Sequence, residues 1–234
     1  MRRSLRISLI AVFAALHTVL YVLSFGLWRN WAIYIESIEG IILGPQAGFL
    51  AALLGSVTAR AISPGDPLWM FGIIAEPLSV LMAGFLSRGN WKPVFAAYVV
   101  MLSAYFIHPY GRQLPVWTLL DVLTAFIIIY PAAKLGKWLS RTDLQRLSIA
   151  LVSVSFVSTA TDALARVFLL VPCGLYNLFF DSFGSLQAAF VAGAVDSYIE
   201  DVVVIFVALL VGVPLIIAAS KMQIFQENDR GKKQ

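Results

Sequence analysis

Cysteine, histidine and charge are all scarce in this chain of 234 residues. The single cysteine, Cys173, permits no internal disulfide and says little about redox compartment. Two histidines, His17 and His108, are too few for a His-rich metal site. No HExxH, GxSxG or GxGD pattern occurs for metal, serine or aspartyl chemistry. The expectation is therefore no enzyme, no catalytic residue, no metal and no cofactor. Charged residues make up 13% of the chain, against roughly 25% in a soluble domain. That is too little polar surface to cover a globule in water, while 60% of the residues are hydrophobic. The chain reads as an integral, multi-pass membrane protein in contact with a lipid bilayer. A net charge of +4 could suggest nucleic acid, but the placement of the basic residues assigns them to cytoplasmic loops, and no nucleic-acid partner is expected.

Spanning helices need about 20 apolar residues. Eight segments qualify as candidates: Leu5–Leu27, Ala32–Leu43, Pro45–Ile62, Leu68–Ser87, Pro93–His108, Val116–Leu139, Leu147–Val171 and Ala188–Ser220. The first is too long for a signal-peptide core and has no small-residue cleavage site, so it reads as a retained helix. The breaks between segments carry Gly, Pro, Asn and charge, Pro172–Gln187 is the longest loop, and no internal repeat is visible. Residues 1–220 form one helical domain, and 221–234 a polar cytoplasmic tail.

The second segment, with Gly44-Pro45 behind it, decides the topology. With a hairpin there and the N-terminus inside, all lysines and arginines except Arg29, Arg60, Arg112 and Arg166 fall on the cytoplasmic side. Reading Ala32–Ile62 as a single pass destroys that bias. Trp28, Trp31, Trp69 and Trp117 then fall at outer ends and Trp91 and Trp138 at inner ends, as an aromatic belt requires. Twelve residues rise only about 18 Å, short of a hydrocarbon core of about 30 Å. Such a segment is tolerated where protein covers its ends or where it lines a cavity.

This topology sets Glu36, Glu39, Glu76, Asp121, Asp162, Asp196, Glu200 and Asp201 between the outer surface and the midplane, while the inner halves of segments three to five and eight hold no charge. Intramembrane ionisable groups mark ligand or ion paths. Asp162 and Arg166, at i,i+4, can pair with each other, Arg60 can neutralise Glu36 or Glu76, and His108 before Pro109 can cap a helix. Asp121, Asp162 and Arg166 are accordingly read as structural. Glu36, Glu39, Glu76, Asp196 and Glu200 outnumber the bases and are expected to line an outward-facing pocket. With Trp31, Tyr34, Trp69 and Trp117 around it, this pocket suits a cationic or hydroxyl-rich aromatic molecule.

Small residues also recur at helical spacing, at Ala11 and Ala15 and along Gly44, Gly48, Ala52 and Gly55. Such stripes allow close helix approach, and internal packing accounts for both. The Ala11-xxx-Ala15 pair, the short second helix running into Gly44-Pro45 and the stretch ILGPQAGFLAALLG resemble the substrate-binding S components of energy-coupling-factor (ECF) vitamin transporters. A narrower similarity to thiamine-type members rests on Trp31-Ala-Ile-Tyr-Ile-Glu36, Glu76-Pro77 and Tyr105-Phe-Ile-His108.

The resemblance implies an all-α membrane bundle with both termini cytoplasmic in the cell membrane. It also implies high-affinity capture of a small vitamin-like, thiamine-like cationic substrate, with ligand contacts at Trp31, Glu36, Glu76 and His108. Ala11 and Ala15 would meet a transmembrane coupling subunit, itself driven by ATPase subunits on other chains. The family core has six helices, so an extra pair is expected, most simply Val116–Leu139 with Leu147–Val171. An ion-coupled secondary transporter is the main alternative, since midplane carboxylates and a broken helix fit it. The absent inverted repeat and the uncharged inner halves oppose it. The segment Asp162-Ala-Leu-Ala-Arg166 is similar to the CDP-alcohol phosphotransferase core but lacks its glycine, its spacing and its cytoplasmic placement.

Overall fold

A computed structural model describes residues 3–24, 30–64, 70–140 and 143–221. Among the described residues the chain is helical, with no strand. The helices are α1 (Arg3–Leu23), α2 (Ile33–Leu43), α3 (Pro45–Ile62), α4 (Gly72–Ser87), α5 (Trp91–Ile107), α6 (Pro109–Gln113), α7 (Leu120–Gly136), α8 (Leu144–Leu170), α9 (Phe183–Val207) and α10 (Val213–Lys221). A 3-10 turn, Val116–Leu119, leads into α7 and a second, Lys137–Ser140, ends it. Four stretches are long and apolar enough to cross a membrane: Arg3–Leu23, Val116–Leu139, Leu144–Leu170 and Phe183–Ser220. The fold is an all-α membrane helix bundle, with a helix in each of the eight expected segments.

Exposure is inverted relative to a soluble protein. Ile107, Ile127 and Leu210 are 73–76% exposed, while Glu36, Glu39, Glu76 and Asp162 are buried. Large apolar side chains on the outside and carboxylates inside suit a hydrocarbon surrounding.

The hairpin between α2 and α3 forms because Gly44 takes φ 80° and ψ 175°, a region open essentially to glycine alone. Its N–H bonds Gly40 O, closing α2, and its carbonyl accepts from Gly48 N–H, opening α3 with Pro45 in the first turn. Every residue of α2 from Glu36 to Leu43 is buried, which answers how so short a helix is tolerated. Gly40 lets α2 approach α4 closely, since a Cβ there would collide with the carbonyl of Val80.

The helix ends alternate as eight passes require. Gly44 lies against Arg88, Gly89 against Lys137 and Gly136 against Leu86, which gathers the basic turns at one end. Phe71 meets Phe179, His108 meets Tyr176 and Tyr110 meets Phe183 at the other. These are called here the basic and the aromatic ends. In the middle, α4 and α8 cross the bundle, α8 packing against α2, α4, α5, α7 and α9, while α1 lies outermost against α3. The expected extra pair therefore is no peripheral addition, because its second member is a central helix.

Three local features depart from the expected boundaries. The last pass begins at Phe183, because Ser182 and Ser185 cap it reciprocally through hydroxyls and backbone N–H groups. His108 caps the unexpected α6 by accepting Tyr110 N–H, with Pro109 in the first turn. A π-helical turn, Ala208–Gly212, separates α9 from α10. It falls just before Pro214, which has no N–H to continue the ladder.

Candidate functional site

Polar side chains gather in two connected places toward the aromatic end. The first is a buried network centred on Glu76 of α4. Its Oε1 accepts from Arg60 Nη2 at 2.5 Å and Asn30 Nδ2 at 2.8 Å. Its Oε2 accepts from Ser56 Oγ at 2.7 Å and Arg60 Nη1 at 3.0 Å, and lies 3.1 Å from His17 Nε2. The other ring nitrogen of His17 is 3.4 Å from Glu39 Oε2. Arg60 also lies over the Tyr21 ring, 4.8 Å from its centroid. Carboxylates at this depth persist only with such partners, because desolvating an unpaired charge costs several kcal/mol. One turn before Glu39 on α2, Glu36 accepts from the Ser79 hydroxyl, and hydroxyl pairs Ser79–Ser158 and Ser37–Ser155 tie α4 and α2 to α8.

The second place is a cavity of about 510 Å³. It is bounded by the start of α4, the start of α7, the last third of α8, Phe180 and α9 from Ala189 to Glu200. Its polar lining is Thr118, Asp121, Asp162, Arg166, Asp196, Ser197 and Glu200, and its apolar wall includes Phe71, Val167, Leu170, Phe180 and Phe190. Helical spacing explains the placement: Asp162 and Arg166, and Asp196 and Glu200, are each one turn apart and so share a face. Ser197 Oγ donates to Asp121 Oδ2 at 2.7 Å. Asp121 is only 6% exposed, and its Oδ1 has no hydrogen-bond partner among the described residues. A Cβ on Gly193 would meet no atom within 4 Å, so that position leaves the chamber open.

Arg166 joins the two places. It borders the cavity, donates Nε to Asp162 Oδ2 at 2.6 Å and Nη2 to Asp162 Oδ1 at 3.2 Å, and its Nη2 reaches Glu76 Oε1 at 3.4 Å.

The expected pocket residues thus fall into separate groups. Asp196 and Glu200 line the cavity. Glu36, Glu39 and Glu76 do not line it, and lie instead in the buried network on the other flank of α8. Trp31 is 37% exposed at the start of α2 and Tyr34 is half-buried there, neither bordering the cavity. His108 sits among Tyr110 and Tyr176 as a helix cap. Trp69 lies outside the described residues, as do Trp28 and the 222–234 part of the polar tail.

Asp121, Asp162 and Arg166, read as structural, border the cavity, and Asp162 and Arg166 also form the pair expected of them. The residue that went unread was His17, a lone histidine on an apolar helix. Its position four residues from Phe13, on the buried stripe of α1, was the available signal. Ala11 and Ala15 lie on the exposed side of that helix. The stripe on α3, by contrast, is internal packing: Gly48 faces Val80, and Gly55 faces Ala14 and His17.

An uncharacterised protein of the archaeon Methanocaldococcus jannaschii is 29% identical to this chain over 133 residues, 56% of this chain and 44% of that protein. The chain thus spans less than half the length of this relative. No family model matches the chain. No solved structure matches it either.

Proposed function

We propose that the chain is the membrane-embedded substrate-binding subunit of an ECF-type uptake transporter in the cell membrane. It captures a small vitamin-like molecule from outside and passes it on with an ATP-driven coupling module on other chains. One observation carries this reading. The cavity has the volume of a small-molecule site, and its lining comes only from the aromatic-end portions of the helices. The basic-end portions of α2, α3 and α4 are packed backbone to backbone through Gly40, Gly48 and Gly84. A chamber of this kind receives a ligand from one face and depends on a partner for release to the other. The exposed Ala11 and Ala15 on α1 supply a smooth face where such a partner could approach closely.

The test is purification of the full chain alone and from its native membrane. Native mass spectrometry is expected to find a retained small molecule, and ATPase subunits are expected to co-purify from the membrane. Replacing Ala11 and Ala15 by leucine is expected to abolish uptake by cells while leaving ligand retention within about twofold, since neither residue borders the cavity. Loss of retention along with uptake would argue against a separate docking face.

A second reading, an ion-coupled secondary transporter, is favoured by Arg166 linking the cavity to the membrane-buried His17, Glu39 and Glu76. Proton-dependent uptake by the lone chain in vesicles, with neither retained ligand nor ATPase association, would establish it in place of the first.

A further inference from the structure

The cavity's lining specifies the charge of its occupant. Among the described residues that border it are four carboxylates, Asp121, Asp162, Asp196 and Glu200, and one guanidinium, Arg166. Asp162 holds one edge of that guanidinium, through Nε and Nη2, and Nη2 also reaches Glu76. Its charge is thus matched by Asp162 and shared with Glu76, which leaves the lining with an excess of carboxylates.

Asp121 is arranged in the opposite sense. It is nine-tenths buried. Ser197 from the facing helix holds one of its oxygens at 2.7 Å. The other oxygen has no hydrogen-bond partner among the described residues. A buried carboxylate oxygen left in that condition is expensive, and a charged donor inside the cavity would satisfy it. Phe71, Phe180 and Phe190 supply aromatic surface to the same cavity, which attracts organic cations and packs against rings alike.

We infer that the cavity binds a small organic cation with an apolar or aromatic body, its cationic group seated on Asp121 and its ring against the phenylalanine wall. The inference rests on the proposal that the chain is a substrate-binding subunit, and names the substrate class. Ser197 acts as a positioning residue that presents the free Asp121 oxygen to the ligand.

The experiment uses the full chain in detergent with three probes of one shape: phenethylammonium, phenylacetate and uncharged ethylbenzene. Binding is read from the shift in thermal unfolding with ligand concentration. Phenethylammonium is expected to bind and phenylacetate not. Asp121→Asn is expected to weaken the cation by about tenfold or more, since a charge-assisted bond is lost. Ser197→Ala is expected to weaken it by about threefold, the carboxylate being retained but no longer held.

Unfolding of each variant without probe separates loss of binding from loss of fold, and Asp121→Glu, which keeps the charge, is expected to retain cation preference. The inference is overturned if phenylacetate or ethylbenzene binds as tightly as the cation. It is equally overturned if folded Asp121→Asn binds the cation unchanged, or if no cation binds at all. Association with ATPase subunits in any of these cases would leave the subunit proposal standing and remove only the substrate class. Absence of both ligand binding and ATPase association would remove the two together.

Discussion

Glu76 of α4 accepts from Arg60, Ser56 and Asn30 and faces His17, so α1, α3 and the residues before α2 converge on one side chain with no exposed surface. Deleting one partner of a buried ion pair leaves an uncompensated charge, a loss of about 3–5 kcal/mol. Glu76→Ala is expected to lower stability by that order, read as the unfolding midpoint of the purified protein in detergent. Glu36→Gln is expected to cost less than about 1.5 kcal/mol, because among the described residues Glu36 takes a bond only from the Ser79 hydroxyl and an amide oxygen can accept it. Equal losses at the two positions would show that the network has no centre. The depth of these acids was legible in the sequence, because depth follows from residue number once the passes are counted. Their partners were not. Whether Glu36 faces Ser79 or the cavity depends on the rotation of α2 about its axis, at 100° per residue, and on which helix lies beside it. The same limit concealed Asp121, whose importance arises from Ser197 lying 76 residues away.

Among the elements, the turn at Gly44 controls the most structure. An alanine there would be forced into φ 80° and would strike the Arg88 guanidinium. Gly44→Ala is therefore expected to destabilise by about 1–3 kcal/mol, measurable as a lowered unfolding midpoint, whereas alanine at the exposed Gln46 next to the turn should change little. A neutral Gly44→Ala would mean that the turn relaxes without consequence for α2 and α3. The eight main helices were legible, though the short α6 was not, and so was this hairpin, because the basic loops agree with only one way of counting passes. The centrality of α8 was not legible. Its apolar residues run around most of its circumference, so hydropathy cannot tell a helix surrounded by protein from one facing lipid. Only the three-dimensional packing against α2, α4, α5, α7 and α9 shows which it is.

At the scale of the molecule, the two ends differ in chemistry, and that difference is what orients it. The turns at Arg88 and Lys137 carry the cationic end, while Phe71, Tyr110, Tyr176 and Phe183 form the aromatic end beside the cavity. On the proposed reading, the bias of lysine and arginine toward the cytoplasm puts the cationic end inside, and the cavity then opens outward for uptake. The chain carries its own reporter for this. Cys173, the single cysteine, is exposed just beyond α8 at the aromatic end. A membrane-impermeant maleimide is expected to label it in intact cells. In a Cys173→Ala background, Asn90→Cys places the thiol at the exposed turn between α4 and α5, on the opposite end, and labelling is expected only after the membrane is permeabilised. Labelling of both positions from outside would break the alternation of passes that the hairpin at Gly44 sets. The reverse pattern, with Asn90→Cys reached first, would keep the fold but turn the cavity toward the cytoplasm, and a chamber facing that way would serve export or sensing rather than capture.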